Sequence, residues 1–149
     1  MQNKEQLFGL CLQFLQTKEG ELQSALRDLQ EAAAQETKSS AGDKYETGRE
    51  MLQQDQNKLR SQLAHLKEQQ QEILFLSRNK PSPEAGAGSI IYTQTGCFLL
   101  GPAIGKIETA QGKLMCISLR SPLGHQFEGK KKGDHFQLNG IDYSIISIE

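Results

Sequence analysis

The amino-acid sequence predicts an α+β protein of two modules: an N-terminal antiparallel coiled-coil hairpin of α-helices, then a mostly antiparallel β-sheet domain with one short helix. Glutamine is concentrated before residue 80, whereas all four prolines and every isoleucine except Ile73 come after it. Helix-favouring residues therefore dominate the first part, and β-branched and turn-forming residues dominate the second. The first part also has a heptad pattern, and the second has an Asn-Gly dipeptide between two strand-like segments.

The heptad pattern of the first module consists of residues that recur at alternating spacings of four and three. A period of about 3.5 residues is typical of helices that pair in a coiled coil. The segment "ETKSSAGD" is short enough to favour a chain that folds back, with arms about 45 Å long at about 1.5 Å per residue. The predicted seam positions are Phe8, Leu12, Leu15, Glu19, Leu22, Leu26, Leu29, Ala33, Tyr45, Arg49, Leu52, Gln56, Leu59, Leu63, Leu66, Gln70 and Ile73.

The stretch "NKPSPEAGAG" separates the two modules, because its composition is typical of a linker. We therefore divide the chain into a hairpin over residues 1–79 with its tip near 38–46, a linker over 80–87, and a second domain over 88–149.

The second module contains six segments with the composition of strands, namely "SIIYTQ", "CFLLG", "AIGKIET", "KLMCISL", "HFQL" and "IDYSIISI". The last two flank Asn139 and Gly140, which favour a tight hairpin because both tolerate a positive φ. Between the strands, Ser121 can cap a short helix that has Pro122 at its first position and ends near Gly129.

Composition narrows the class of protein. The formal net charge of −1 gives no reason to expect bulk attraction to nucleic acid or to an anionic membrane. The sequence has neither the pattern of a signal peptide nor a run of about 18 apolar residues, so we expect a cytoplasmic protein. Cys11, Cys97 and Cys116 are odd in number and lie in apolar surroundings, which favours buried free thiols over a disulfide or a metal site.

Two carboxylates at the predicted tip, Asp43 and Glu46, lie three residues apart. This is the spacing of a capping box, in which both side chains bond free backbone N–H groups at the start of the second helix. The same spacing places both carboxylates on one helix face, where they could bind a hard cation. Two carboxylates are too few for a complete Mg²⁺ site, so a partner would have to supply the remaining ligands. Spacing leaves both interpretations open.

Two stretches of the chain resemble the GreA/GreB transcript-cleavage factors of bacterial RNA polymerase. "GDKYE" fits the family's Gly-Asp-x-x-Glu between coiled-coil arms. "ISLRSPLGHQFEGKKKGD" resembles the family's Ile-Ser-x-x-Ser-Pro-Ile-Gly and Gly-Lys-Lys-x-Gly-Asp segment, which precedes a C-terminal strand hairpin. The order of the modules and the overall length also agree, so the resemblance covers essentially the whole chain.

The resemblance implies an FKBP-like second domain that docks on the rim of the polymerase secondary channel. The coiled coil would enter the channel and bring Asp43 and Glu46 to the second Mg²⁺ of the polymerase active site, near the RNA 3′ end of a backtracked complex. The protein would have no stably bound cofactor of its own and would be an activator of the polymerase's RNA cleavage rather than an enzyme. Separately, a chain that folds back pairs its rod with itself and leaves no long seam for a second copy, so we expect a monomer. Candidate docking residues are Ser121, Pro122, Lys130, Lys131 and Lys132.

Alternatives remain open at this stage. After the acidic pair the chain has Thr47, Gly48 and Arg49 where the family usually has an Asn-Ala-Glu-Tyr type of run. Some relatives enter the same channel and regulate transcription without promoting cleavage, and this is the main alternative. A thiol acyltransferase is disfavoured because no nucleophile-elbow or Cys/His motif surrounds the histidines and cysteines. A prolyl isomerase is disfavoured because the second module has few aromatic residues to line an apolar pocket. A generic coiled-coil adaptor explains the rod but not the "SPLG" and "GKKKGD" segments.

Overall fold

A computed structural model describes residues 3–38 and 42–149, and describes side chains outside residues 36–47. Two long helices precede six strands and one short helix, which confirms the predicted α+β class. The elements are α1 (Lys4–Lys38), α2 (Gly42–Leu76), β1 (Ile90–Thr93), β2 (Gly96–Leu100), β3 (Gly105–Thr109), β4 (Gly112–Ile117), α3 (Pro122–Phe127), β5 (His135–Leu138) and β6 (Ile141–Ile148).

The connector between the two long helices is shorter than the sequence predicts. The expected connector covered residues 36–43, but α1 continues to Lys38 and α2 begins at Gly42. The prediction was wrong at both ends because Glu36 and Lys38 favour helix and no glycine or proline interrupts α1 there.

Packing divides the chain into two compact units, of which one is Leu15–Glu68 and contains only helix among its described residues. Leu15, Gln56 and Leu66 are its most buried side chains, at 1%, 6% and 7% exposed. They are seam positions, and the other seam positions described within this unit are partly buried except Arg49, which is exposed. A shallow cleft is lined by Gln30, Ala33 and Ala34 of α1 and by Arg49, Gln53, Gln56 and Arg60 of α2, which shows antiparallel pairing.

The other unit consists of Met1–Phe14 and Gln69–Glu149, and its centre is the six-stranded sheet in the order β3-β4-β2-β1-β6-β5. All neighbouring strands are antiparallel except β2 and β4, which are parallel. The ends of both long helices therefore pack in the same unit as the sheet. The division into residues 1–79 and 88–149 stays a prediction about sequence modules, whereas packing groups residues 3–14 and 69–76 with the second module.

One face of the sheet packs against α3 through an aromatic cluster. The Phe127 ring centroid lies 5.2 Å from that of Phe98 and 5.1 Å from that of Phe136. Tyr143 stacks on Phe136 at 5.2 Å. Aliphatic residues complete this core, namely Ala85, Ile91, Leu100, Ile145 and the partly buried Met115, Ile117, Leu119, Leu123, Leu138 and Ile148.

The opposite face packs against the ends of the long helices. Leu7 and Cys11 of α1 are 2% and 0% exposed, and the Cys11 Sγ lies 3.6 Å from the Sγ of Cys116 in β4. Leu76 of α2 packs against the end of β2 so closely that a Cβ on Gly101 would lie 2.9 Å from its Cδ1. These helix ends are therefore part of the hydrophobic core of the sheet unit.

The predicted linker, residues 80–87, is held in place in its second half by burial and hydrogen bonds. Ala85 is only 3% exposed, its N–H donates to the Lys130 carbonyl at 2.8 Å, and its carbonyl accepts from the Gly129 N–H at 2.8 Å. Residues 84–85 thus pair with the chain that follows α3, a long-range contact that linker-like composition does not indicate.

The turn chemistry predicted for the second module is confirmed. Ser121 caps α3, and its side chain accepts a bond from the Gly124 N–H. Asn139 and Gly140 have φ values of 53° and 78°, as a two-residue hairpin turn requires. Gly124 has a separate role, because a Cβ there would overlap the Ser118 carbonyl oxygen and lie 2.9 Å from Leu119 Cα.

Replacement of Gly124 by alanine tests this close approach. We expect Gly124→Ala to lower the free energy of unfolding by about 2–3 kcal/mol, because backbone atoms rather than a flexible side chain must move. Gly20→Ala is the matched control, since a Cβ at this helical glycine meets nothing within 4 Å. It should raise stability by about 0.5–1 kcal/mol. Urea unfolding of both variants measures the effect, and equal stabilities would contradict the packing of α3.

Candidate functional site

The acidic pair Asp43 and Glu46 belongs to the first turns of α2, which begins at Gly42. Their side chains lie outside the described residues, so the capping and metal-binding roles both stay predictions. Among the described side chains, no group of three or more His, Cys, Asp or Glu is arranged to hold a metal ion.

Ser121, a candidate docking residue, uses its hydroxyl within the protein. The hydroxyl donates to the Ser118 carbonyl at 2.6 Å and accepts from the Gly124 N–H at 3.0 Å. Ser118 in turn accepts from the Arg120 N–H at 3.0 Å. The "SLRSPLG" segment is therefore a closed turn in which Ser121 positions α3, while Pro122 at the first helical position is exposed.

The three candidate lysines lie in the loop between α3 and β5. The Lys130 ammonium lies 5.6 Å from the centroid of the Phe136 ring, within the range of a cation–π interaction. Lys131 Nζ lies 3.6 Å from Glu84 Oε1. Both side chains of this ion pair are more than half exposed, so the pair contributes little to stability. Lys132 is exposed.

Asp134 holds the backbone of this lysine loop in place. Its carboxylate accepts from the Lys131 N–H at 2.8 Å. Its carbonyl accepts from the Ile145 N–H, and the Gly133 N–H donates to the Ile145 carbonyl, both at 2.9 Å. The loop is thus fixed to β6, and it presents its lysine side chains from a defined backbone.

The structure does not bring all five docking candidates into one cluster. Ser121 and Pro122 lie at the start of α3, and the lysines follow its end. A helix of six residues, about 9 Å long, lies between the two groups. Sequence reasoning did not identify Glu84 and Phe136 as neighbours of the lysines. Their contacts with Lys131 and Lys130 join segments that are separate in sequence.

A second feature that the sequence did not predict is a cavity of about 300 Å³ beside β2. Its lining includes Leu7 of α1, Tyr92 of β1, and Cys97 of β2. Burial, together with Glu149 and Cys11, raises the pKa of the Cys97 thiol to about 12. Burial, Cys97 and Glu149 raise the pKa of Tyr92 to about 12. Both groups are therefore held in their neutral forms.

Neither the protein-family models nor the curated proteins contain a match to this chain. In the part of the chain that the structure describes, none of the helices combines the length and the apolar character needed to cross a membrane.

The raised pKa of Cys97 predicts a loss of stability at alkaline pH. The unfolded chain releases this proton near pH 9 but the folded protein only near 12, so the unfolding free energy should fall as pH rises through this window. Cys97→Ala removes the thiol, so the unfolding free energy of this variant should fall less steeply with pH than that of the parent protein. Urea unfolding from pH 8 to 11 measures both proteins, and parallel curves would contradict the assignment.

Proposed function

We propose that the protein is a secondary-channel factor of bacterial RNA polymerase that stimulates the polymerase's own cleavage of backtracked RNA. The observation that carries the proposal is the position of Gly42-Asp43-x-x-Glu46: it begins α2, four positions after the last residue of a first helix of 35 residues. The resemblance of "GDKYE" and of the "SPLG" and "GKKKGD" segments to the GreA/GreB factors supports it.

The carboxylates of Asp43 and Glu46 suit this role because oxygen ligands with negative charge are those that a hard cation prefers. The polymerase would contribute the remaining ligands, so the acids complete a site rather than form one. The Mg²⁺ of the polymerase would activate a water molecule for phosphodiester hydrolysis. Asp43 and Glu46 would hold and orient the groups around that water, and the chain itself would not be an enzyme.

Docking is proposed for the second domain, which the resemblance suggests is FKBP-like. The lysine loop, residues 130–132, offers positive charge on a backbone fixed to β6, and it could meet an acidic surface of the polymerase. The exposed Pro122 would add an apolar contact. Ser121 would act indirectly, since its hydroxyl already caps α3.

A non-cleaving regulator of the same fold is the second candidate function, and Arg49 favours it. This exposed side chain lies three residues after Glu46 on α2, so a positive charge follows the acidic pair by about one turn. A cation at this distance would weaken the attraction of the acids for a metal ion.

Isosteric replacement of the acids separates the metal role from the capping role. Asn caps a helix about as well as Asp, and Gln can replace Glu in a capping box. Asp43→Asn and Glu46→Gln should therefore leave stability within a few tenths of a kcal/mol. Neutral amides are poorer ligands for Mg²⁺, so stimulated RNA cleavage in stalled complexes should fall roughly a hundredfold.

The parent protein and both variants should bind polymerase equally well in this experiment. Equal cleavage by parent and variants would assign the acids to capping alone. A parent that binds and alters transcription without cleavage would instead establish the non-cleaving regulator.

A charge reversal in the lysine loop tests docking. Lys132→Glu places a negative charge on an exposed side chain and should weaken binding to polymerase by roughly three- to tenfold at low salt. Lys106→Glu makes the same charge change at an exposed position of β3 and is the matched control. Competition binding with labelled parent protein measures both. If the two variants bind alike, the lysine loop is not the docking surface.

A further inference from the structure

Two buried thiols from distant parts of the chain face each other in the core of the sheet unit. Cys11 of α1 and Cys116 of β4 are 105 residues apart in sequence, and their Sγ atoms are 3.6 Å apart. They are 0% and 1% exposed. Both are free thiols.

The backbone on each side of this pair is fixed by packing. Leu7 and Phe8, one turn before Cys11 on α1, are buried at 2% and 3% exposed. Cys116 lies in a central region of the sheet, where it pairs with Leu99 of β2 and with Gly105 of β3. A disulfide bond of about 2.05 Å needs the sulfur atoms to approach by about 1.5 Å, which is within the range of small side-chain rotations.

We propose that peroxide converts this pair into a Cys11–Cys116 disulfide, which ties the first turns of α1 to β4 and is reversed by thiol reductants. The proposal is independent of the function suggested above, because it depends only on the contact between the two thiols.

The chemistry takes place in two steps. The Cys11 thiolate attacks one oxygen of hydrogen peroxide, the O–O bond breaks, and Cys11 becomes a sulfenic acid as hydroxide leaves. The Cys116 sulfur then attacks the Cys11 sulfur, the S–O bond breaks, and the Cys116 proton and the hydroxide leave as water. Overall, two thiols and one peroxide give a disulfide and two waters, and the two electrons lost by sulfur reduce the peroxide.

The hydrogen bond between the thiols shifts their pKa values in opposite directions. This bond lowers the pKa of Cys11, because the Cys11 thiolate accepts a hydrogen bond from the Cys116 S–H. The same bond, together with burial, raises the pKa of Cys116. Cys11 lies on the first turns of α1, the part that can open to admit peroxide, so we assign it as the attacking thiolate and assign Cys116 of β4 as the thiol that resolves the sulfenic acid.

Access of peroxide depends on the first turns of α1. Because both sulfur atoms are enclosed, the reaction must follow local opening of the helix end rather than direct attack from solvent. Cys97 lines the neighbouring cavity with Leu7 and is more accessible, yet its pKa of about 12 keeps it protonated and poorly nucleophilic. It therefore serves as an internal control.

Peptide mapping after peroxide treatment tests the proposal directly, since trypsin places the three cysteines on separate peptides. These cover residues 5–18, 114–120 and, because Lys80 precedes proline, 79–106. The full-length protein is treated with hydrogen peroxide, free thiols are trapped with iodoacetamide, and the digest is analysed without reduction. We expect one cross-linked species, 5–18 joined to 114–120, which dithiothreitol separates.

The melting temperature of the intact protein is the second measurement. A bond that closes a loop of about 100 residues restricts the unfolded chain, so oxidation should raise the melting temperature by roughly 10 °C. Cys97→Ala should show the same cross-link and the same shift. Cys116→Ala should show neither, and its reduced-state circular dichroism reports whether it folds.

Three results would overturn the proposal. A cross-link that contains peptide 79–106 would assign the reactive pair to Cys97. Sulfinic acid at Cys11 without a disulfide would show that Cys116 does not resolve it. A cross-linked protein with an unchanged or lower melting temperature would show that the disulfide does not fit the folded packing.

Discussion

The structure depends on the need to cover both faces of one small sheet. Consecutive residues are fully buried in two neighbouring strands, Ile90 and Ile91 in β1 and Leu99 and Leu100 in β2. Because alternate side chains point to opposite faces, such a run requires a cover on each side. The short α3 covers one face, and the ends of α1 and α2 cover the other. Burial of apolar surface at about 25 cal/mol per Å² makes this sandwich the main source of stability.

This constraint explains why segments between the strands and helices of the sheet unit are hydrogen-bonded to the sheet. Residues 84–85 pair with the chain after α3, and Gln94 of the β1–β2 turn bonds the backbone of Asp142 and Ser144 in β6. Gln94 thereby supplies hydrogen bonds to the part of β6 that extends beyond the end of β1. The end of α2, the helix that carries the acidic pair, and the start of α1 also contribute core residues to the sheet unit, so a fragment that keeps this core must include both helix ends.

The candidate docking surface shows how few polar groups are left for a partner. Ser121 and Asp134 bond groups of the same protein and position α3 and the lysine loop, and Glu84 pairs with Lys131 at the surface. The exposed residues are Pro122, Lys131 and Lys132, and Lys130 is partly buried. Their positions could be predicted from the motif, but the residues that hold them could not, because those contacts form between segments that are far apart in sequence.

Local patterns determined the elements of this protein by themselves. The heptad spacing, the Ser121 cap, and the Asn139-Gly140 turn each act over a few residues, so their physical causes are present in the sequence. The acidic pair was also visible as a motif, although its side chains lie outside the described residues. Only the tertiary structure decided that the helix ends join the sheet and that Cys11 meets Cys116. A pattern of apolar residues indicates that a sheet face must be covered, but three-dimensional packing decides which segment covers it.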